Sequence, residues 1–214
     1  MVFIYMLSLI DMPILTPGAN ATLSQTKFTL SISYASIPGA DIDVSAFLLA
    51  ADGKVRSDGD MCFYGQTSVE AGAVTLEQTS HAQTGTVFSI DLSRIGQAID
   101  KIAIVATIHE NRAVFGRLAV IGIDLSVSGG MRGEIPCGDM KETALILAEI
   151  YRRRQDWKLR IVGQGFQGGL AAMAPHFGIE VATSEPPVPE RLDKTIAAPV
   201  TTVETAPVKP FNLN

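Results

Sequence analysis

The sequence predicts a mainly β protein whose strands are packed as a sandwich or closed as a barrel. Short alternating or apolar runs recur along most of the chain, and glycine, proline, asparagine and aspartate turn signals separate them at short intervals. Hydrophobic residues make up 47% of the 214 residues, which is enough for a sizeable core. This spacing of strands and turns is typical of sandwiches and barrels rather than of βαβ units.

The predicted strands are identified by polar–apolar alternation, as in residues 27–34 (KFTLSISY), or by short apolar runs between turns. Asp52-Gly53 is the clearest turn, because a type I′ hairpin turn needs positive φ at both central positions. The predicted strands cover residues 27–34, 41–50, 54–65, 73–78, 86–92, 101–110, 117–128 and 157–166.

Two segments are predicted to be helical. Residues 137–154 place Asp139 at an N-cap and Glu142 three residues later, which is a capping-box pattern. The three arginines at 152–154 suit the C-terminal end of a helix dipole, with an anion site as the alternative. Residues 168–178 are predicted to form a short helix broken at Pro175. The apolar stripe of the first helix consists of Ala144, Leu147, Ala148 and Tyr151.

Composition excludes some function classes. A net charge of −5 and a pI near 5.2 argue against nucleic-acid binding, which needs a basic face. Cys62 and Cys137 are too few for a disulfide framework, so we expect reduced thiols and a cytoplasmic location. The apolar N-terminal run is too short to be a transmembrane segment. We expect residues 1–12 to be an arm or an upstream mis-start, and residues 183–214 a disordered Pro-rich tail.

Residues 41–60 (DIDVSAFLLAADGKVRSDGD) concentrate acidic side chains around the predicted turn. A two-residue turn at Asp52-Gly53 sets residue 45 opposite 60 and residue 43 opposite 62. Opposed residues share a face and side chains alternate along each strand, so Asp41, Asp43, Asp58 and Asp60 are predicted to share one face.

Several carboxylates this close repel one another unless something neutralises them. One aspartate can be protonated, a lysine or arginine can intervene, or a hard cation such as calcium can bind. Glu110, which follows His109 at the end of a predicted strand, could join the same cluster. Three interpretations therefore stay open: a calcium site, a solvated acidic hairpin, or a carboxylate catalytic dyad.

Four segments of the sequence together resemble the TerD family of tellurium-resistance and stress-response proteins. They are DIDVSAFLLAADGKVRSDGDMCFYGQ, IVATIHENRAVFG, ETALILAEIYRRRQDWKLRIVGQGFQGGL and HFGIEV, and they occur in the family order within residues 13–182. The resemblance implies a two-sheet β-sandwich of short antiparallel strands with one or two peripheral helices. It also implies calcium binding by clustered acidic residues, which here match Asp41, Asp43, Asp58, Asp60 and Glu110.

One departure from the family pattern limits the expected metal binding. Typical members carry a long acidic loop before a DLS sequence, but residues 79–93 contain no carboxylate before Asp91. We therefore expect at most one good calcium site, or a weaker one, because affinity depends on the number of charged ligands.

The resemblance implies a non-enzymatic, calcium-binding or calcium-modulated interaction module in tellurite resistance and chemical-stress response. Its partners would be other proteins of a stress-response complex associated with the membrane, without nucleic acid. The alternatives are a metal-dependent hydrolase using an aspartate cluster, with His109 as a general base, and a metal-free scaffold of the same fold.

Overall fold

The computed structural model describes residues 14–77 and 85–179, and within them the protein is mainly β. The predicted arm (1–12), the predicted tail (183–214) and residues 79–84 of the segment without an acidic loop lie outside the described residues. In chain order the strands are β1 (Ile14–Leu15), β2 (Asn20–Thr22), β3 (Lys27–Ser33), β4 (Ile42–Leu49), β5 (Met61–Cys62), β6 (Ser68–Val69), β7 (Val74–Glu77), β8 (Gly85–Asp91), β9 (Lys101–Ile108), β10 (Val120–Leu125), β11 (Met131–Pro136), β12 (Ala144–Arg153) and β13 (Asp156–Phe166).

These strands form two sheets, which confirms the predicted sandwich class. One sheet has the order β1-β11-β10-β3-β8-β7-β6, and the other has the order β2-β13-β12-β9-β4-β5. All pairings are antiparallel within the described residues except β1 with β11, which is parallel. One short α-helix, α1 (Gly169–Met173), runs into a 3₁₀ turn at Ala174–Phe177, so the predicted short helix is confirmed.

The core lies between the two sheets and follows the period-2 alternation of the strands. In β3, Phe28, Leu30 and Ile32 are buried while the residues between them are partly exposed. From the other sheet, Ile102 and Ile104 of β9 enter the same core. A second apolar cluster covers the outer face of the six-stranded sheet, where α1 and the 3₁₀ turn pack.

The predicted helix over residues 137–154 is wrong, because Ala144–Arg153 is strand β12 between β9 and β13. Residues 144–150 are buried on both faces, since one face meets the core and the other lies under α1. Periodicity cannot distinguish such a run from a buried helix. A β-bulge between Ile146 and Ala148 also directs Leu147 and Ala148 into the same core, which mimics helical spacing.

The predicted hairpin register is also wrong. Gly53 does adopt positive φ (79°), but the strand resumes only at β5, with Ala46 opposite Cys62 and Phe47 opposite Met61. The observed register differs from the prediction by three residues, and an odd shift exchanges the two faces of a strand. Residues Asp58–Asp60 form a 3₁₀ turn before β5 rather than part of a strand. The four aspartates therefore do not share the predicted face.

Candidate functional site

The candidate site lies where β4 begins and β9 ends, on the outer face of the six-stranded sheet. Ile42 pairs with Ile108 and Asp43 pairs with Thr107, so the strand ends are level. Val44 enters the core, and alternation therefore directs Asp43 to the outer face together with Phe47. Asp43 thus stands at the edge of the apolar cluster that α1 covers.

The turn after β9 brings His109 and Glu110 to the same end of the sheet. The His109 backbone N–H donates to the Asp41 carbonyl oxygen at 3.0 Å. The distance from His109 Nδ1 to Asp43 Oδ2 is 3.9 Å, and that from His109 Nε2 to Glu110 Oε1 is 3.4 Å. Glu110 and Asn111 have φ values of 50° and 54°, a conformation that costs energy for residues with a side chain and is frequent at functional sites.

A cavity of about 580 Å³ opens beside these polar groups. Its polar end is formed by Asp43, His109, Glu110 and Asn111. Its walls are mainly apolar and come from the two strands, from α1 and from the segments beside it: Phe47, Met61, Phe63, Tyr64, Val105, Leu170, Ala171 and Ile179. A largely apolar cavity with a few convergent polar groups is the usual form of a small-molecule site.

The glycines of the GQGFQGG segment allow α1 to close one side of the cavity. Gly168 and Gly169 have φ values of 101° and 65°, which residues with a side chain rarely adopt. The Asn111 side chain lies against Gly169, where a Cβ atom would collide with its Oδ1. The helix is held further by Phe177, whose ring packs edge-on against Phe47 with 5.2 Å between centroids.

The structure separates Asp58 and Asp60 from this site. Asp60 is buried and accepts two hydrogen bonds from the Arg56 guanidinium, at 2.6 and 2.8 Å, and one from the Arg56 backbone N–H at 2.9 Å. Arg56 also donates to Glu70 at 3.0 Å. Asp58 is exposed, and neither aspartate lines the cavity. For Asp60 the neutralising group is therefore an arginine.

The three remaining predicted ligands, Asp41, Asp43 and Glu110, lie at one end of the sheet but differ in their electrostatics. Burial raises the pKa of Asp43, with His109 lowering and Asp41 raising it further. The pKa of Glu110 lies below its ordinary value, because Arg112 donates hydrogen bonds to its carboxylate. Among the described residues Asp43 forms no ion pair with lysine or arginine.

These residues do not form a preformed calcium cage. Within residues 14–77 and 85–179, no group of three or more histidine, cysteine, aspartate or glutamate side chains is placed to hold a metal ion. Glu110 is engaged by Arg112 and Asp60 by Arg56, which leaves Asp43 as the carboxylate open to a cation at the cavity. Calcium binding by this protein stays a prediction.

Sequence reasoning did not identify the apolar side of the site. Phe63 and Tyr64 were not among the predicted site residues, yet both line the cavity, and so does Leu170 of α1. The exposed Tyr64 and Leu170 are visible as candidates only once the fold is known. Within the described part of the chain, no helix has the length and apolar character needed to cross a membrane.

Comparisons with known proteins agree with the fold. The TerD domain model matches residues 14–177. Tellurium resistance protein TerD of Serratia marcescens is 37% identical over 156 residues, covering 66% of this chain and 80% of that protein. General stress protein 16U of Bacillus subtilis (strain 168) is 34% identical over 155 residues, covering 66% and 79%. A crystal structure of a telluride resistance protein (TerD) homologue from Streptomyces coelicolor A3(2) superposes with a TM-score of 0.56 at 14% identity, covering 70% and 95%.

Proposed function

Because the chain belongs to the TerD domain family, we propose that it is a non-enzymatic binding module in tellurite resistance and chemical-stress response. We place it in the cytoplasm, acting with other proteins of a stress-response complex at the membrane. The observation that carries the proposal is the cavity of about 580 Å³ beside Asp43 and His109. A cavity of this size and lining suits the binding of a partner group or small ligand.

The experiment tests whether the cavity mouth is needed for resistance. The native gene is deleted, and survival on tellurite is measured after complementation with the wild type or with Leu170→Asp. Leu170 is 44% exposed at the mouth, so the substitution should leave the fold intact while placing a charge in the apolar wall. We expect Leu170→Asp to fail to restore resistance while its Tm matches the wild type.

Val120→Asp is the matched control, because Val120 is also an exposed apolar residue (39%) but lies on β10, outside the cavity lining. It should restore resistance fully. Full restoration by Leu170→Asp would show that the cavity is not the functional surface. Unchanged tellurite survival after the deletion would contradict the proposed role in tellurite resistance.

Calcium modulation is part of the proposal in a reduced form, with Asp43 as the principal ligand and Asp41 and Glu110 beside it. Binding of a cation to the folded state alone raises stability by about 2.7 kcal/mol at 100 times its Kd. We expect calcium to raise the Tm of the wild type and of Asp60→Asn, but not that of Asp43→Asn. A wild-type Tm that does not respond to calcium would support the metal-free scaffold instead.

One observation favours a hydrolase as the second candidate. The cavity is open beside a carboxylate, and His109, which lies 3.9 Å from Asp43, would be the general base for a water held at that carboxylate. The aspartate pair that this mechanism needs is not in place, because Asp60 is bound to Arg56. If the protein is a hydrolase, we expect metal-dependent turnover of a phosphoester, and His109→Ala should abolish that turnover. No turnover above background would eliminate it.

A further inference from the structure

The side chains at the polar end of the cavity carry more negative than positive charge, and this favours a cationic ligand. Glu110 is matched by the neighbouring Arg112, whose guanidinium contacts its carboxylate. Asp43 has only the imidazole of His109 beside it among the described residues, and Asp41 adds a second carboxylate nearby. With a neutral imidazole, the polar end of the cavity therefore carries net negative charge, which attracts a cation and repels an anion.

A metal ion bound at Asp43 would leave most of the apolar cavity wall uncovered. Phe47, Phe63 and Tyr64 contribute aromatic rings to the lining. The rings of Phe63 and Tyr64 stand edge-to-face with centroids 5.4 Å apart, and the Tyr64 side chain is 75% exposed. A hydrated metal ion would leave this apolar surface in contact with water, whereas an organic body would cover it.

Aromatic rings beside a carboxylate suit an ammonium group. The carboxylate of Asp43 would attract the charged nitrogen, and the apolar walls would cover the hydrocarbon part of the same molecule. We propose that the cavity binds a small organic ammonium ion, with its nitrogen at Asp43 and its apolar body against Phe63, Tyr64 and Leu170. The proposal rests on the proposed function of the cavity as a binding site, and it defines the class of ligand.

The size of the cavity agrees with this ligand class. Small-molecule sites are typically about 300–1,000 Å³, and this one is about 580 Å³. It has room for an aromatic ring on a short aliphatic chain, together with water at its open side. The polar end and the apolar walls line the same cavity.

Three probes of nearly equal shape and different charge test the proposal. They are 2-phenylethylamine, 2-phenylethanol and 3-phenylpropanoate, titrated calorimetrically into the full-length protein in EDTA at pH 8, where imidazoles ordinarily carry no charge. We expect the ammonium to bind at least about tenfold more tightly than the alcohol, which corresponds to about 1.4 kcal/mol. We expect the carboxylate to bind weakest.

Asp43→Asn should reduce the preference for the ammonium over the alcohol to within about twofold while leaving affinity for the alcohol unchanged. Asp58→Asn is the matched control, because Asp58 is exposed and lies outside the cavity lining, and it should keep the wild-type preference. Tyr64→Ala provides a second test that does not disturb the strand, and it should weaken the ammonium and the alcohol alike, because it removes part of the apolar wall that both probes would contact.

Two results would overturn the proposal. Equal affinity for the ammonium and the alcohol, or tighter binding of the carboxylate, would refute the cationic ligand while leaving the cavity as a binding site. Absence of saturable binding by any probe up to about 10 mM would refute the ligand class altogether. The resistance assay with Leu170→Asp would then judge the proposed function separately.

Discussion

Replacing Asp60 with asparagine is expected to destabilise the protein to the same extent with and without calcium. The Asp60 side chain is only 5% exposed, and its two oxygens accept hydrogen bonds from both the guanidinium and the backbone N–H of Arg56. An asparagine amide would direct an NH₂ donor toward a guanidinium that has only donors. At least one of these hydrogen bonds is therefore lost, together with the ionic attraction.

The expected magnitude follows from the exposure of the two partners. A hydrogen bond to a charged group contributes about 1.5–3 kcal/mol. The Arg56 side chain is 38% exposed, so water can solvate its charge once the pair is broken, and the cost stays below that of a fully buried pair. For a domain of this size, 1 kcal/mol shifts Tm by about 2–4 °C, so we expect a fall of about 3–12 °C.

Thermal unfolding of the wild type and of Asp60→Asn, in EDTA and in millimolar calcium, distinguishes whether Asp60 is an ion-pair partner or a metal ligand. Asp58→Asn is the control, since exposed substitutions usually change stability by less than about 0.5 kcal/mol. If the Tm of Asp60→Asn equals that of the wild type in EDTA and is lower only in calcium, then Asp60 is a metal ligand. That result would refute the role assigned to Arg56.

The pH dependence of the same difference provides an independent check. Burial acts to raise the pKa of Asp60, but the hydrogen bonds from Arg56 outweigh it and hold the pKa below its ordinary value. A carboxyl of this kind stabilises the fold above its unfolded pKa, near 4, and loses that contribution as pH falls through its folded pKa. The difference in Tm between the wild type and Asp60→Asn should have its largest value at pH 7 and should decrease below about pH 4. A gap that widens on acidification would contradict this account.

Two further predictions concern groups away from the cavity. The Glu149 side chain is only 8% exposed and accepts hydrogen bonds from Lys101 and Arg160. Glu149→Gln should therefore lower the free energy of unfolding, measured in urea, by about 1.5–3 kcal/mol. An unchanged urea midpoint would contradict the ion-pair assignment. Burial raises the pKa of both Cys62 and Cys137 to about 11. Neither thiol should therefore react with a thiol reagent at pH 8 until the protein unfolds. Rapid labelling of the native protein would contradict this by showing that the thiols are accessible.

The sequence alone was enough to predict the sheet class and most of the longer strands. β3 and β8 carry the alternation of a half-buried strand, and the structure places strands at both. The local chemistry of Asp52-Gly53 also predicted a turn correctly, because positive φ at Gly53 depends on that residue and its immediate neighbours. The same sequence motifs supported the family assignment without any structural information.

Only the tertiary structure decided the nature of β12 and the arrangement of the acidic residues. The apolar run at 144–150 is a strand because β9 and β13 pair with it and because both of its faces are covered, neither of which a local pattern records. The loop of residues 50–60 places Asp60 in a 3₁₀ turn against Arg56, whereas the pairing of β4 with β9 leaves Asp43 at the cavity. The residues that line the cavity are spread along the chain from Asp43 to Ile179, so their meeting depends on how the sheet and α1 pack together.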